Sequence, residues 1–215
     1  MAKCHGHARR PVRDAGGACE NPAMPSFSDV TLSTDRLLLR PLAPPDADAV
    51  FAMRSDPVVQ RYGSHPPWTD RQKAIDYIER DMRGMAEGAH AQFAIERRAD
   101  TAVIGTCTLY DISAQCRRAD IGYVLLPSEW GRGFAHEALV ALLDWGFDTL
   151  ELNRVEGDVD PRNTPSARSL ERLGFTREGH LRERWIVGGE TCDSWMYGLL
   201  AREWRASRAG ARAAS

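Results

Sequence analysis

The chain lacks any apolar run approaching the roughly 20 residues that a membrane-spanning helix requires. It also lacks a secretory signal: Arg9 and Arg10 form a basic pair, but no apolar segment follows them. Cysteine is sparse. Cys4, Cys19, Cys107, Cys116 and Cys192 are odd in number and show no paired spacing. That argues against a disulfide framework and fits reduced thiols in a cytoplasmic protein. Neither charge sign is in excess: 28 Lys and Arg stand against 30 Asp and Glu, a formal net charge of −2. No global electrostatic case remains for nucleic acid or an anionic membrane as partner. Internal repeats are absent as well.

What is present suits one domain with appended ends. Of 215 residues, 43% are apolar and 27% charged, enough for a core and a solvated surface. Residues 1–28 are rich in Gly, Ala, Pro and Arg and read as a disordered leader. Met24 stands just before the ordered region and is a candidate translation start. Cys4, His5 and His7 could suggest a metal site, but chance ligands on a flexible terminus are the plainer reading, and no metal is expected. The domain spans residues 29–205, with Trp204 packing on the body. Residues 206–215, rich in Arg and Ala, read as a flexible tail.

Periodicity and punctuation give the element order. Residues 36–40 form a short apolar run between charges, ended by Pro41, and read as a strand. Pro44 and Pro45 open a helix through Met53, because proline's missing N–H costs nothing in a first turn. A second helix starts at Thr69 and Asp70, with Ala74, Ile75, Ile78 and Met82 as its apolar stripe. Strands follow at 92–97, 102–110 and 119–125, then a helix at 133–150 and a strand at 154–159. A helix at 164–173 is capped by Gly174, and two strands fill 176–187 and 191–200. This order predicts a mixed α/β (α+β) domain: an antiparallel meander, then a parallel pair joined by a helical crossover.

The segment from Ile121 to Ala135 carries the chemistry. An apolar strand runs into a short turn, and Gly131 and Gly133 then open a helix. A helix N-terminus offers unpaired N–H groups and partial positive charge, and glycine lets the backbone approach a ligand. Arg132 adds a cation, so the arrangement suits a pyrophosphate; a tight strand-to-helix turn is the alternative. No Gly-Lys-Ser/Thr is present, which disfavours a nucleotide P-loop, and the third glycine of a dinucleotide fingerprint is missing.

A second segment follows the crossover: Asn163-Thr164-Pro165-Ser166, then Leu170-Glu171-Arg172-Leu173-Gly174-Phe175. Here the chain resembles the GNAT superfamily of N-acetyltransferases. Trp130-Gly131-Arg132-Gly133-Phe134-Ala135 is similar to its acetyl-CoA pyrophosphate loop, and Asn163-x-x-Ser166 to its second cofactor motif. The resemblance extends to the RimJ/RimL-like branch through Thr34-Asp35-Arg36-Leu37-Leu38-Leu39-Arg40, Ile121-Gly122-Tyr123, Glu178 through Glu183, and Asp193 through Trp204. It covers about residues 31–205.

The resemblance implies a mixed sheet of six to seven strands, flanked by helices, whose two central parallel strands splay apart. The pantetheine arm of acetyl-CoA would lie in the gap and pair with the backbone of Val124 and Leu125. Trp130, Gly131, Arg132, Gly133, Phe134, Ala135, Asn163 and Ser166 complete the implied cofactor set. Two positions depart from the wider family. Trp130 stands where Gln or Arg is usual. Leu170 stands where many members carry a Tyr acting as general acid on the departing thiolate. Ser166 is then the candidate acid, with a helix-start hydroxyl as its alternative role.

The implied reaction moves an acetyl group from a thioester directly to a neutral amine, so a base must take a proton. Glu156, Asp158 and Asp160 alternate and share one strand face. The resemblance makes Asp158 the first candidate base, since it lies five residues before Asn163, where several members place a carboxylate near the acceptor; Asp120 on the neighbouring strand is the second, and ordinary solvent-facing carboxylates are the alternative. His65 and His180 are lesser candidates, and Glu87, Glu178 and Glu183 could face a cationic acceptor. The RimJ/RimL resemblance implies a protein or peptide α-amine as acceptor. A small amine or antibiotic, or a non-catalytic acyl-CoA sensor, stays open. Oligomeric state is not fixed by the sequence, and a homodimer is one option.

Overall fold

A computed structural model describes residues 24–213. Residues 1–23, with Cys4, His5 and His7, and residues 214–215 lie outside the described residues. The eight strands, in chain order, are β1 (Leu32–Ser33), β2 (Leu37–Pro41), β3 (Ala91–Arg97), β4 (Ala102–Ser113), β5 (Arg118–Leu125), β6 (Arg154–Val159), β7 (Thr176–Val187) and β8 (Glu190–Leu200). They form one sheet in the order β1-β2-β3-β4-β5-β6-β8-β7. All pairs are antiparallel except β5 with β6. The sheet thus exceeds the expected six to seven strands by the two-residue β1.

Helices cover both faces. On one lie α1 (Ala47–Ser55), the single turn α2 (Pro57–Gln60) and α3 (Gln72–Ala86), packed on Ala94 and Val124. The other carries α4 (Phe134–Asp148), α5 (Thr164–Arg172) and α6 (Ala201–Ala213), packed on Phe93, Ile121, Val155 and Leu199. Period-2 alternation along β5 explains the division: Ile121, Tyr123 and Leu125 enter one core and Val124 the other. Among the described residues, no helix is long and apolar enough to cross a membrane.

Both ends of the domain differ from expectation. Order begins before residue 29, because Phe27 is buried, donates its N–H to the Met85 carbonyl at 2.8 Å and meets Trp145 edge-on. The segment after Trp204 continues as α6, where a solvated tail was expected. Trp204 donates its indole N–H to Asp144 Oδ1 at 2.9 Å, and Arg208 reaches Asp144 Oδ2 at 2.8 Å. Arg and Ala are strong helix formers, so a compositional cue for flexibility was equally a cue for helix. The expected helix from Pro44 begins as a 3-10 turn, Pro44–Asp46, and passes into α1.

Candidate active site

The parallel pair β5–β6 is joined over only three positions: Arg118↔Arg154, Ala119↔Val155 and Asp120↔Glu156. Beyond them β5 stays on β4 through Leu125, while β6 stays on β8 through Val159. The sheet splits between them. The fork opens at the C-terminal ends of two parallel strands, where open α/β sheets characteristically place ligands.

At the mouth of the fork, β5 leads through a 3-10 turn, Pro127–Glu129, to the glycine loop. Gly131 and Gly133 have φ of 72° and 80°, left-handed values that favour glycine. A Cβ on Gly133 would stand 3.4 Å from Arg36 Nη2. Gly133 caps α4 without a side-chain bond, and Glu137 is the first α4 residue whose N–H reaches a carbonyl, that of Gly133 at 3.0 Å. The N–H groups at the start of a helix have no carbonyl partner within that helix, which is what a pyrophosphate cradle requires.

Trp130 is explained by the turn and not by phosphate. Its indole N–H donates to the Leu125 carbonyl at 2.9 Å, stapling the 3-10 turn to the strand end. That carbonyl is therefore engaged, which narrows the free β5 edge expected at Val124 and Leu125. Arg132 pairs with Glu129 at 2.7 Å, and its guanidinium lies over the buried Phe134 ring at 5.0 Å. Arg36 covers the same ring at 4.5 Å. Ala135 packs against the core behind it.

A clamp behind the loop was not evident from sequence. Glu137 accepts from the Thr34 hydroxyl at 2.6 Å, the Arg36 N–H at 2.9 Å and Arg36 Nε at 2.6 Å. Arg36 Nη1 also donates to the Arg132 carbonyl at 3.1 Å. Burial raises the Glu137 carboxyl, but these donors outweigh it and hold the group below its usual range. The Thr34-Asp35-Arg36 motif thus fixes the loop from outside.

The α5 side of the fork carries the second motif. Asn163 Oδ1 accepts the Ser166 N–H at 3.3 Å and caps α5. The Ser166 hydroxyl is not the cap: it lies 2.9 Å from Tyr123 Oη, which also meets the Ser166 carbonyl at 3.3 Å. Burial pushes the Tyr123 phenol up, so it remains protonated. The contact laces β5 to α5 across the fork, and sequence reasoning missed it. Leu170, fully buried, packs on Gly157 so closely that a Cβ there would stand 2.8 Å from Leu170 Cδ1. The position that elsewhere supplies an acid is here core.

On the face carrying α1 to α3 stand the carboxylates. Arg118 Nη1 joins Asp120 at 2.7 Å and Glu156 at 2.5 Å. Burial drives the Asp120 carboxyl up to about 7; Arg118 opposes that shift, while Glu156, Asp111 and Asp158 reinforce it. Asp158, beyond the split, is 4% exposed. Its Oδ2 accepts the Trp185 indole N–H at 2.9 Å, while Oδ1 has no hydrogen-bond partner among the described residues. Asp160 is bound by Arg162.

The other candidates are engaged elsewhere or stand outside. Glu178 pairs with Arg154, and His180 with Asp193. His65 stacks on Trp68 in the 61–68 loop, and burial pushes its ring below the usual histidine range. Glu87 and Glu183 are exposed. Cys107 and Cys192 are buried strand residues.

A family model described as "Acetyltransferase (GNAT) domain" matches residues 36–176. Over 174 residues the chain is 42% identical to the uncharacterized N-acetyltransferase p20 of Bacillus licheniformis, covering 81% of this chain and 98% of that protein. It is 27% identical over 158 residues to the spermidine N(1)-acetyltransferase of Escherichia coli K12, with 74% and 82% covered. A solved structure of a putative ribosomal-protein-serine acetyltransferase from Vibrio cholerae shares its fold with a TM-score of 0.72 at 25% identity, covering 81% and 99%. With the forked sheet and the glycine loop, these likenesses place the chain in the GNAT family of acetyl-CoA-dependent N-acetyltransferases.

Proposed function

We propose that the enzyme transfers acetyl from acetyl-CoA directly to the α-amine of a protein or peptide. One observation carries the direct transfer. A carboxyl that burial drives up to about 7 and a buried carboxylate with one oxygen lacking a partner among the described residues flank the split, on the sheet face opposite the Ser166 hydroxyl. The likeness to the Vibrio cholerae structure supports a peptide acceptor.

Val124 and the loop N–H groups from Gly131 to Ala135 bind the cofactor, with Arg132 as cation and Asn163 shaping the α5 start. A backbone N–H at Val124 or Leu125 polarises the thioester carbonyl. Asp158 Oδ1 accepts from the incoming amine and orients it. Asp120 takes the amine proton, directly or through water, because a base near 7 is half-ionised at neutral pH. The C–N bond forms and the C–S bond breaks; Ser166 relays a proton to the departing sulfur and regains one from water, while Asp120 releases the amine proton to solvent. This ordering places Asp120 ahead of Asp158 as base, the reverse of the sequence preference.

A second reading, a polyamine acceptor, is favoured by the carboxylates Asp120, Glu156 and Asp158 sharing one face, and by the spermidine acetyltransferase relative. Calorimetric acetyl-CoA binding, combined with thiol release across peptide and polyamine pools, separates the readings. Turnover with peptides but not polyamines is expected. Tight acetyl-CoA binding without turnover of any amine would sink both.

A further inference from the structure

The hairpin β7–β8 carries an irregularity that the mechanism so far leaves unused. Leu181 pairs with Ser194 and Trp185 with Cys192, so β7 spends four residues where β8 spends two. Within this bulge Glu183 has φ of 52°, a left-handed conformation that a non-glycine residue holds only where its surroundings enforce it. Asp193 enforces it: Oδ1 accepts the Glu183 N–H at 2.8 Å, and Oδ2 pairs with His180 Nε2 at 2.7 Å.

The bulge delivers Trp185 to Asp158. Because β8 lies between β7 and β6, Trp185 spans an intervening strand to donate its indole N–H at 2.9 Å. Arg184, the neighbouring bulge residue, approaches the same Oδ2 at 3.5 Å. Both donors engage one oxygen. The other, Oδ1, is buried and without a hydrogen-bond partner among the described residues, and so is the hydroxyl of Ser194 on the intervening strand. A buried carboxylate oxygen without a donor is costly, and an amine N–H is a donor that would satisfy it.

We infer that Trp185 is a positioning residue for the acceptor. By occupying Oδ2 it fixes the Asp158 carboxylate so that Oδ1 faces the incoming amine, and the Asp193-pinned bulge holds Trp185 in place. The inference rests on the reading of Asp158 as the group that orients the amine.

The test is a double-mutant cycle of Trp185→Phe and Asp158→Asn, run with a short peptide bearing a free α-amine and, separately, with spermidine. A hydrogen bond to a charged group is worth ~1.5–3 kcal/mol, so Trp185→Phe should raise the acceptor KM roughly 10- to 100-fold. The acetyl-CoA Kd should stay unchanged, and the double variant should be no worse than Asp158→Asn alone. Additive losses, or an acetyl-CoA Kd that rises with the acceptor KM, would overturn the inference while leaving the acceptor role of Asp158 standing. An Asp158→Asn variant with unchanged kinetics would instead remove that role itself. The indole N–H resonance of Trp185, assigned by its loss in Trp185→Phe, reports the contact without turnover. It should shift in Asp158→Asn, and an unmoved resonance overturns the inference.

Discussion

The two sides of the fork are built from different materials. On the side proposed for the cofactor the chain presents backbone: two left-handed glycines and the helix start of α4. On the side proposed for the acceptor it presents side chains gathered from distant segments, with Asp120 from β5, Asp158 from β6 and Trp185 from β7. Backbone donors are indifferent to the side chains around them, so the loop accepts Trp130 where the wider family has a polar residue. Side-chain constellations have no such tolerance. The Asp120 carboxyl owes its raised value first to burial and then to the charges around it, so the same acid in another setting would titrate otherwise.

The comparison is broken most severely at Asp120. Its base role predicts that wild-type kcat/KM rises with pH through about 7, as the carboxyl ionises. Asp120→Asn should lower kcat/KM by roughly 10²–10⁴ and flatten that limb. The stability effect has its own sign. A carboxyl raised in the folded state stabilises below its unfolded pKa, and that contribution is lost as pH climbs toward 7, so the variant should lose this slope. A pH–rate profile that keeps its rising limb in Asp120→Asn would move the base elsewhere.

A smaller effect is expected on the backbone side. Gly133→Val forces a β-branched residue to φ of 80° and places a Cβ beside Arg36. With strain of ~1–3 kcal/mol, the acetyl-CoA Kd should rise roughly 10- to 100-fold by calorimetry, with the acceptor KM little changed. Unaltered affinity in a folded variant would refute the loop as the cofactor site.

The clamp gives the mildest test. Glu137→Gln keeps the shape and removes the charge facing Arg36, which should cost about 1 kcal/mol of stability in denaturant melts and weaken cofactor binding a few-fold. The Glu137 carboxyl is held low in the fold. Its contribution is therefore present above its unfolded pKa and lost as pH falls through the folded one, so the variant should lack that acid-side decline. If acetyl-CoA affinity is untouched, Thr34 and Arg36 serve the fold alone.

Most of this architecture could be read from the chain because its signals are local. Glycines at 131 and 133, the Asn163-x-x-Ser166 motif and the acids alternating at 156, 158 and 160 each act within a few residues. Tyr123 with Ser166, Glu137 with Arg36, and Trp185 with Asp158 could not be read in the same way. Their partners lie 43, 101 and 27 positions apart, and no periodicity links them. The titration of Asp120 was equally hidden, since burial beside Arg118 and Glu156 exists only once the sheet is paired. Composition alone does not decide order at the two ends. Phe27 and Arg208 are ordered by Met85, Trp145 and Asp144, residues far along the chain.

The split between β5 and β6 has a consequence for the lifetime of the protein. Two strands that part after three shared positions leave a seam in the middle of the sheet, a place where thermal opening can begin. A ligand that bridges the seam closes it and binds only the folded chain. At a concentration one hundred times its Kd, such a ligand adds about 2.7 kcal/mol to the equilibrium free energy of unfolding. Resistance to proteolysis would then track the supply of the acyl donor, and the enzyme would persist longest when it has substrate to use.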